Sequence, residues 1–292
     1  MTAPIGLIVV MLSVILGYLA HGGKLMVLFQ PSEFLIIGGA AIGSMVVGAP
    51  LPALKALVGQ VGRLTTSAGT KAVYLDLLTM LYNLFRAGQQ SGAMALDSHA
   101  EKPASSPIFK AHPEFLKRHH AVQFLCDSLK VMIMGGVRAH DFDELMEEDL
   151  EVMLKETLQP SAILVRMGDT LPGLGIVAAV LGVVITMGSI DGSPAEIGEK
   201  IAAALVGTFL GVFLAYGFVN PLAATLEHRA AEEVIYLECI KTGLLSVHKG
   251  LPPVLAVEFA RRVLPENVRP SFDETEKACR GKNRPQQQQQ AA

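Results

Sequence analysis

The chain has 292 residues, 51% hydrophobic and only 17% charged, with a mean hydropathy of +0.42, so it is long enough for about two domains but too poor in charge to solvate them. These numbers argue against a wholly water-soluble enzyme. A formal charge of −3, from 24 basic and 27 acidic residues, with no basic segment or RNA-binding aromatic motif, leaves no electrostatic footprint for nucleic acid.

The first apolar run, about residues 3–20, contains GLIVVMLSVILGYLA and no charged side chain. It has no Lys or Arg ahead of it and no small-x-small cleavage site, so it reads as an uncleaved helix rather than a signal peptide. A second charge-free run covers about 34–54, a third 171–190 and a fourth 201–226. At about 1.5 Å per residue, each is long enough to cross a ~30 Å hydrocarbon core as a helix, the only open-chain form that satisfies its own backbone in lipid. Of the 24 Lys and Arg, 22 fall in 51–170 and 227–292, while the connectors 21–33 and 191–200 carry only Lys24 and Lys200. The positive-inside rule then puts both large hydrophilic parts and both termini in the cytoplasm.

The expected architecture is an all-α membrane protein with four spans in two hairpins. Residues 1–54 form the first hairpin, 55–169 a helical cytoplasmic insert, 170–226 the second hairpin, and 227–292 a cytoplasmic helix and tail, disordered after about 280. Helical spacing marks 71–89, 121–134 and 141–157 within the insert, and KPASSP at 102–107 is a turn. The fourth helix is expected to continue through 227–247 and to break at Gly250 and the Pro252-Pro253 pair. Cys126, Cys239 and Cys279 show no paired spacing and read as isolated thiols; no metal-ligand cluster or cofactor motif is present.

Small residues recur every four positions at Ala203, Gly207, Gly211 and Ala215, with Gly39 and Gly43 in the second span and Gly175 and Gly182 in the third. Such stripes let helix backbones approach closely where lipid removes the hydrophobic drive. Pro172 and Pro221 sit at matched depth near the cytoplasmic side. Pro172 is also where a first-turn proline would stand after a cap at Asp169 or Thr170, whereas Pro221 lies deeper and loosens its helix. No span contains a carboxylate, Lys or Arg; its polar groups are hydroxyls such as Ser13, Ser44, Thr186, Thr208 and Tyr216, with Asn220 near the interface. A proton path here is therefore expected to borrow its carboxylate from another chain.

RMGDTLPGLGIVAAVLGVV (166–184) and AALVGTFLGVFLAYGFVNPLA (203–223), with YLAHGGKLMVLFQPSE (18–33) and VEFARRVL (257–264), closely resemble the MotA family of flagellar motor stator subunits, within the MotA/TolQ/ExbB proton channel family. The resemblance implies a homo-oligomeric ring, a pentamer, in membrane lipid around a MotB-like single-span partner that carries the proton-binding aspartate. It also implies torque on the rotor protein FliG through the insert. Pro172 and Pro221 match the family's functional prolines, and Thr208 its pore-facing threonine. Ala179 stands where sodium-driven relatives carry a threonine, which implies a proton motor. For the rotor-facing Arg and Glu of the family this chain has Gln89 and Asp97, so the base is lost; Arg86, three residues earlier, is its candidate replacement. The acidic run Asp141, Asp143, Glu144, Glu147, Glu148, Asp149 and Glu151 reads as a solvated face, and His112, His119 and His120 receive no role. The competing readings are an ExbB/TolQ-type energiser of envelope processes, disfavoured by four spans, and a non-conducting scaffold. No nucleophile–base set or P-loop supports an enzyme.

Overall fold

The computed structural model describes residues 2–62, 69–92, 94–188, 191 and 193–281. Among them every regular element is helical. The main helices are α1 (Thr2–Ala20), α2 (Leu25–Leu28), α3 (Pro31–Gly48), α4 (Leu51–Gly62), α5 (Lys71–Ser91), α6 (Met94–Glu101), α7 (Pro107–Lys110), α8 (Pro113–Leu116), α9 (His119–Met134), α10 (Ala139–Met187), α11 (Pro194–Leu214), α12 (Asn220–His248), α13 (Pro253–Val263) and α14 (Phe272–Gly281). Among the described residues, three stretches are by length and composition apolar enough to cross a membrane, Leu25–Gly48, Ala139–Met187 and Pro194–His248; Pro4–Ala20 is a shorter apolar helix.

The helix boundaries differ from the hydropathy runs for identifiable reasons. The run at 34–54 is not one helix: Ala49 precedes Pro50 and is extended (φ −134°, ψ 140°), the conformation a following proline favours, so α3 ends at Gly48 and α4 begins at Leu51. At its other end α3 starts at Pro31, in the first turn where a missing N–H costs nothing, and so takes in Glu33. The third run does not start at a capped Pro172. It is the later part of α10, which holds both Pro160 and Pro172 in its interior. Thr170 donates its hydroxyl to the Met167 carbonyl at 2.9 Å instead of capping a new helix. α11 has a reciprocal cap: Glu196 N donates to Ser193 Oγ at 3.3 Å, and Ser193 N to Glu196 Oε2 at 3.0 Å. Ile190 and the tail from 282 onward, where disorder was expected, lie outside the described residues.

The chain divides into two compact units, residues 1–66 with 157–229, and 67–156 with 230–292. The first has two small apolar clusters, one around Ile37, Ala41, Leu171, Ala178 and Leu210, the other around Ala53, Leu57, Leu164, Ala223 and Leu226. It also exposes many large apolar side chains, among them Leu35, Val47, Val58 and Ile185. The second unit has a larger core with Leu77, Leu81, Phe85, Phe124, Phe142 and Ile240 fully enclosed. Its polar ties are specific. Buried His112 meets Asp76 at 2.7 Å, and His120 meets Glu233 at 2.8 Å. Lys241 holds Asp143 at 2.8 Å and also Glu147, so the acidic run is in part a packed contact rather than wholly a solvated face.

Candidate functional site

Within the first unit, α10 and α11 approach backbone to backbone. A methyl built on Gly211 would stand 2.5 Å from the Leu171 carbonyl oxygen and 2.9 Å from Gly175 Cα. One on Gly175 would stand 2.8 Å from the Gly207 carbonyl oxygen, and one on Gly182 would stand 2.7 Å from Ala204 Cβ. The seam therefore uses Gly207 and Gly211 of the expected stripe together with Ala204, while Ala203 is only half-buried and Ala215 belongs to an apolar cluster. Gly39 and Gly43 are exposed, and a methyl on either would meet nothing within 4 Å in this chain.

Ala179 flanks this seam at Gly207, the residue before Thr208. A methyl on Gly207 would lie 3.3 Å from Ala179 N and 3.2 Å from Ala178 Cβ, and Thr208 is the next residue, half-exposed. The same point lies 2.6 Å from Glu33 Oε2. Glu33 is only 6% exposed, and Oε2 is buried without a hydrogen-bond partner. The expectation that the apolar segments hold no carboxylate is thus corrected: one is packed into the helix cluster from the first turn of α3. The signal in the sequence was the spacing of Glu33, Ile37 and Ala41, the three buried residues of α3, at i, i+4 and i+8.

The two prolines are linked through their neighbours. Pro172 has no N–H, so the Gly168 carbonyl loses its usual α-helical donor. Asn220, the residue before Pro221, lies directly against Gly168, close enough that any Cβ there would collide with Asn220 Oδ1. That oxygen is buried and unpartnered. Ahead of Pro221 the helix widens into a π-turn at Ala215–Val219, where Asn220 N donates to the Ala215 carbonyl five residues back. The turn packs on α1, and Gly6, Val10, Gly217, Pro221 and Thr225 line a cleft of about 200 Å³. Pro221 itself is exposed, and its carbonyl accepts the Thr225 hydroxyl at 2.8 Å.

In the second unit, α5 and α6 turn at Gly92 (φ 80°), a left-handed conformation that suits glycine. They pack where Gly88 meets Leu96; a methyl on Gly88 would stand 2.9 Å from Leu96 Cδ1. The flanking residues Gln89, exposed, and Asp97, half-exposed, therefore sit on either side of one contact, with half-exposed Arg86 one turn earlier. Among the described residues Arg86 and Asp97 form no ion pair, and no group of three or more His, Cys, Asp or Glu is placed to hold a metal.

The family model described as motility protein A N-terminal matches residues 4–92, and that of the MotA/TolQ/ExbB proton channel family matches 116–239. Motility protein A of Escherichia coli is 43% identical over 285 residues, 97% of each chain. The flagellar MotAB stator complex from Bacillus subtilis aligns with a TM-score of 0.72 at 25% identity, covering 89% of this chain and 94% of that one. The MotAB structure from C. jejuni shares the fold, with a TM-score of 0.75 at 18% identity over 91% of this chain and 96% of that one.

Proposed function

We propose, from the premise that this chain belongs to the motility protein A family of flagellar motor stator subunits, a specific route by which it turns proton flow into torque. The chain crosses the inner membrane four times, through α1, α3, the later part of α10, and α11 with the start of α12. Both termini and the second unit lie in the cytoplasm. Several copies, five by family resemblance, enclose a MotB-like single-span partner whose aspartate binds the proton, and the α5–α6 face with Arg86, Gln89 and Asp97 pushes on FliG.

The observation that carries the coupling step is the contact of Asn220 with Gly168. It joins the two turns that Pro172 and Pro221 loosen, and both turns are short of ordinary helical hydrogen bonds. One elementary charge crossing 100 mV releases about 2.3 kcal/mol, enough to bias a rearrangement of that size. Neutralising the partner's aspartate beside Ala179 and Thr208 alters the α10–α11 seam, and the proline turns pass the change into the parts of α10 and α12 that belong to the second unit. Ala179 offers no side-chain oxygen to Na⁺, which favours protons as the coupling ion.

The test is Pro221→Leu in a strain lacking its own subunit. Membrane insertion and partner binding are expected to persist while swimming stops; normal swimming by the variant removes the hinge. Swimming speed of the parent should fall with a protonophore and be indifferent to Na⁺, and the reverse pattern removes the proton assignment.

A further inference from the structure

The carboxyl of Glu33 occupies a position where stability alone asks for an apolar side chain. It is in register with Ile37 and Ala41 on the one buried face of α3, and that face packs on α11. An ionised carboxylate shielded from water with an unpartnered oxygen costs free energy until a proton or another donor meets it. Oε2 has no donor among the described residues, although it abuts Gly207, at the level of Ala179 and Thr208. Gly207 is what makes this approach possible, since a methyl there would stand 2.6 Å from Oε2.

We propose that Glu33 is a proton-holding station of this chain's own, taking up a proton on Oε2 and releasing it toward the ion path beside Ala179 and Thr208. The inference rests on the stator reading above and adds to it a carboxylate that does not come from the partner. The step is a proton transfer only: Oε2 gains the proton on arrival and regains its ionised form when the proton moves on. The elements around it bring few competing charges. α11 carries exposed Glu196 and Glu199 and half-buried Lys200, which stands seven residues ahead of Gly207 on the same face; Lys24 precedes α2; and α10 presents no charged group between Leu171 and Met187. Thr186 of α10 has its hydroxyl committed to the Gly182 carbonyl at 2.8 Å.

The experiment places Glu33→Gln, Glu33→Asp and Glu33→Leu in the full chain, in a strain lacking its own subunit, and measures membrane level, co-purification with the single-span partner, and swimming speed at mildly acidic and mildly alkaline external pH. The Gln and Leu variants are expected to assemble normally yet swim more slowly by roughly tenfold, in the range of a lost proton-transfer group, with the larger deficit at alkaline pH, where protons are scarce. The Asp variant keeps a carboxyl and should recover most of the speed. Thermal denaturation of the Leu variant in detergent should move upward, because an unpaired polar group has been replaced by an apolar one. Parental swimming by Glu33→Gln at both pH values overturns the proposal. So does loss of assembly in both neutral variants, which would make Glu33 a structural residue. Failure of the parent chain to restore swimming would instead defeat the stator reading, which keeps the two outcomes apart.

Discussion

At the scale of single residues, glycine positions that look alike in the sequence differ in what surrounds them. Gly211 faces the Leu171 carbonyl oxygen and Gly175 Cα, so a methyl there meets backbone that cannot rotate away. Gly211→Ala should therefore lower the stability of the folded chain by about 1–3 kcal/mol, read as a lower midpoint of thermal unfolding in detergent. Gly39→Ala points a methyl into open space within the chain and should raise that midpoint slightly, by the roughly 0.4–1 kcal/mol that alanine gains over glycine inside a helix. His120 donates to the Glu233 carboxylate, and that hydrogen bond holds the pKa of the imidazolium above its ordinary value near 6.5. A raised folded-state value means that the pair's stabilisation is complete below that ordinary value and is lost as pH rises through the folded one. Both partners are substantially exposed, which limits the effect to less than about 1 kcal/mol. His120→Gln should thus cost stability at mildly acidic pH and almost nothing at alkaline pH, measurable by denaturation at the two pH values.

At the scale of elements, the α11–α12 run contains the feature that hydropathy is blind to. A π-turn amounts to one extra residue inserted in an α-helix, and here it lies immediately before a proline. Deleting Gly217 should convert Ala215–Val219 to ordinary α-helix and leave the flanking faces in register, so that Asn220 still reaches Gly168. Hydrogen exchange is expected to slow at the amides that follow, while motility falls; slower exchange with full motility would show that the widened turn has no part in coupling. The sequence pointed to Pro221 because a proline's missing N–H is a local property. It did not reveal the π-turn, because the choice between slipping the ladder and kinking the helix depends on what packs around it, here α1 and the Gly168 turn of α10. The merging of 141–157 with the third apolar run into one 49-residue helix was hidden for a related reason. Pro172 reads locally as a helix start, and only neighbours that hold the strand of backbone in line keep it as an interior residue.

At the scale of the molecule, the two units rest on different stabilising terms. The second unit is built around fully enclosed aromatic and leucine side chains, and Phe85 is packed so tightly that a methyl on Gly243 would come within 3.1 Å of its ring. Phe85→Ala should cost that unit about 3–5 kcal/mol through lost burial and a residual cavity. Hydrogen exchange is then expected to rise across α5, α9 and α13 and to stay unchanged in α3 and α11, which belong to the other unit. The first unit has small clusters, an inter-helix seam of glycine and alanine, and a large exposed apolar surface. That pattern suits a body whose remaining apolar contacts come from lipid and from other chains.

The sequence by itself determined the helical class, the apolar segments, the gathering of 22 of 24 basic residues in 51–170 and 227–292, and the residues that match a known family, because period, charge and motif are carried in consecutive positions. Tertiary structure decided which glycines form the α10–α11 seam, that Asn220 meets Gly168, that Lys241 gathers Asp143 and Glu147, and that Glu33 is enclosed rather than left in a connector. Each of these depends on which distant residue occupies the facing position. A count of charges along the chain starts the second apolar run just after Glu33 and so leaves it out, whereas the burial of that carboxyl is set by α11, more than 160 residues away.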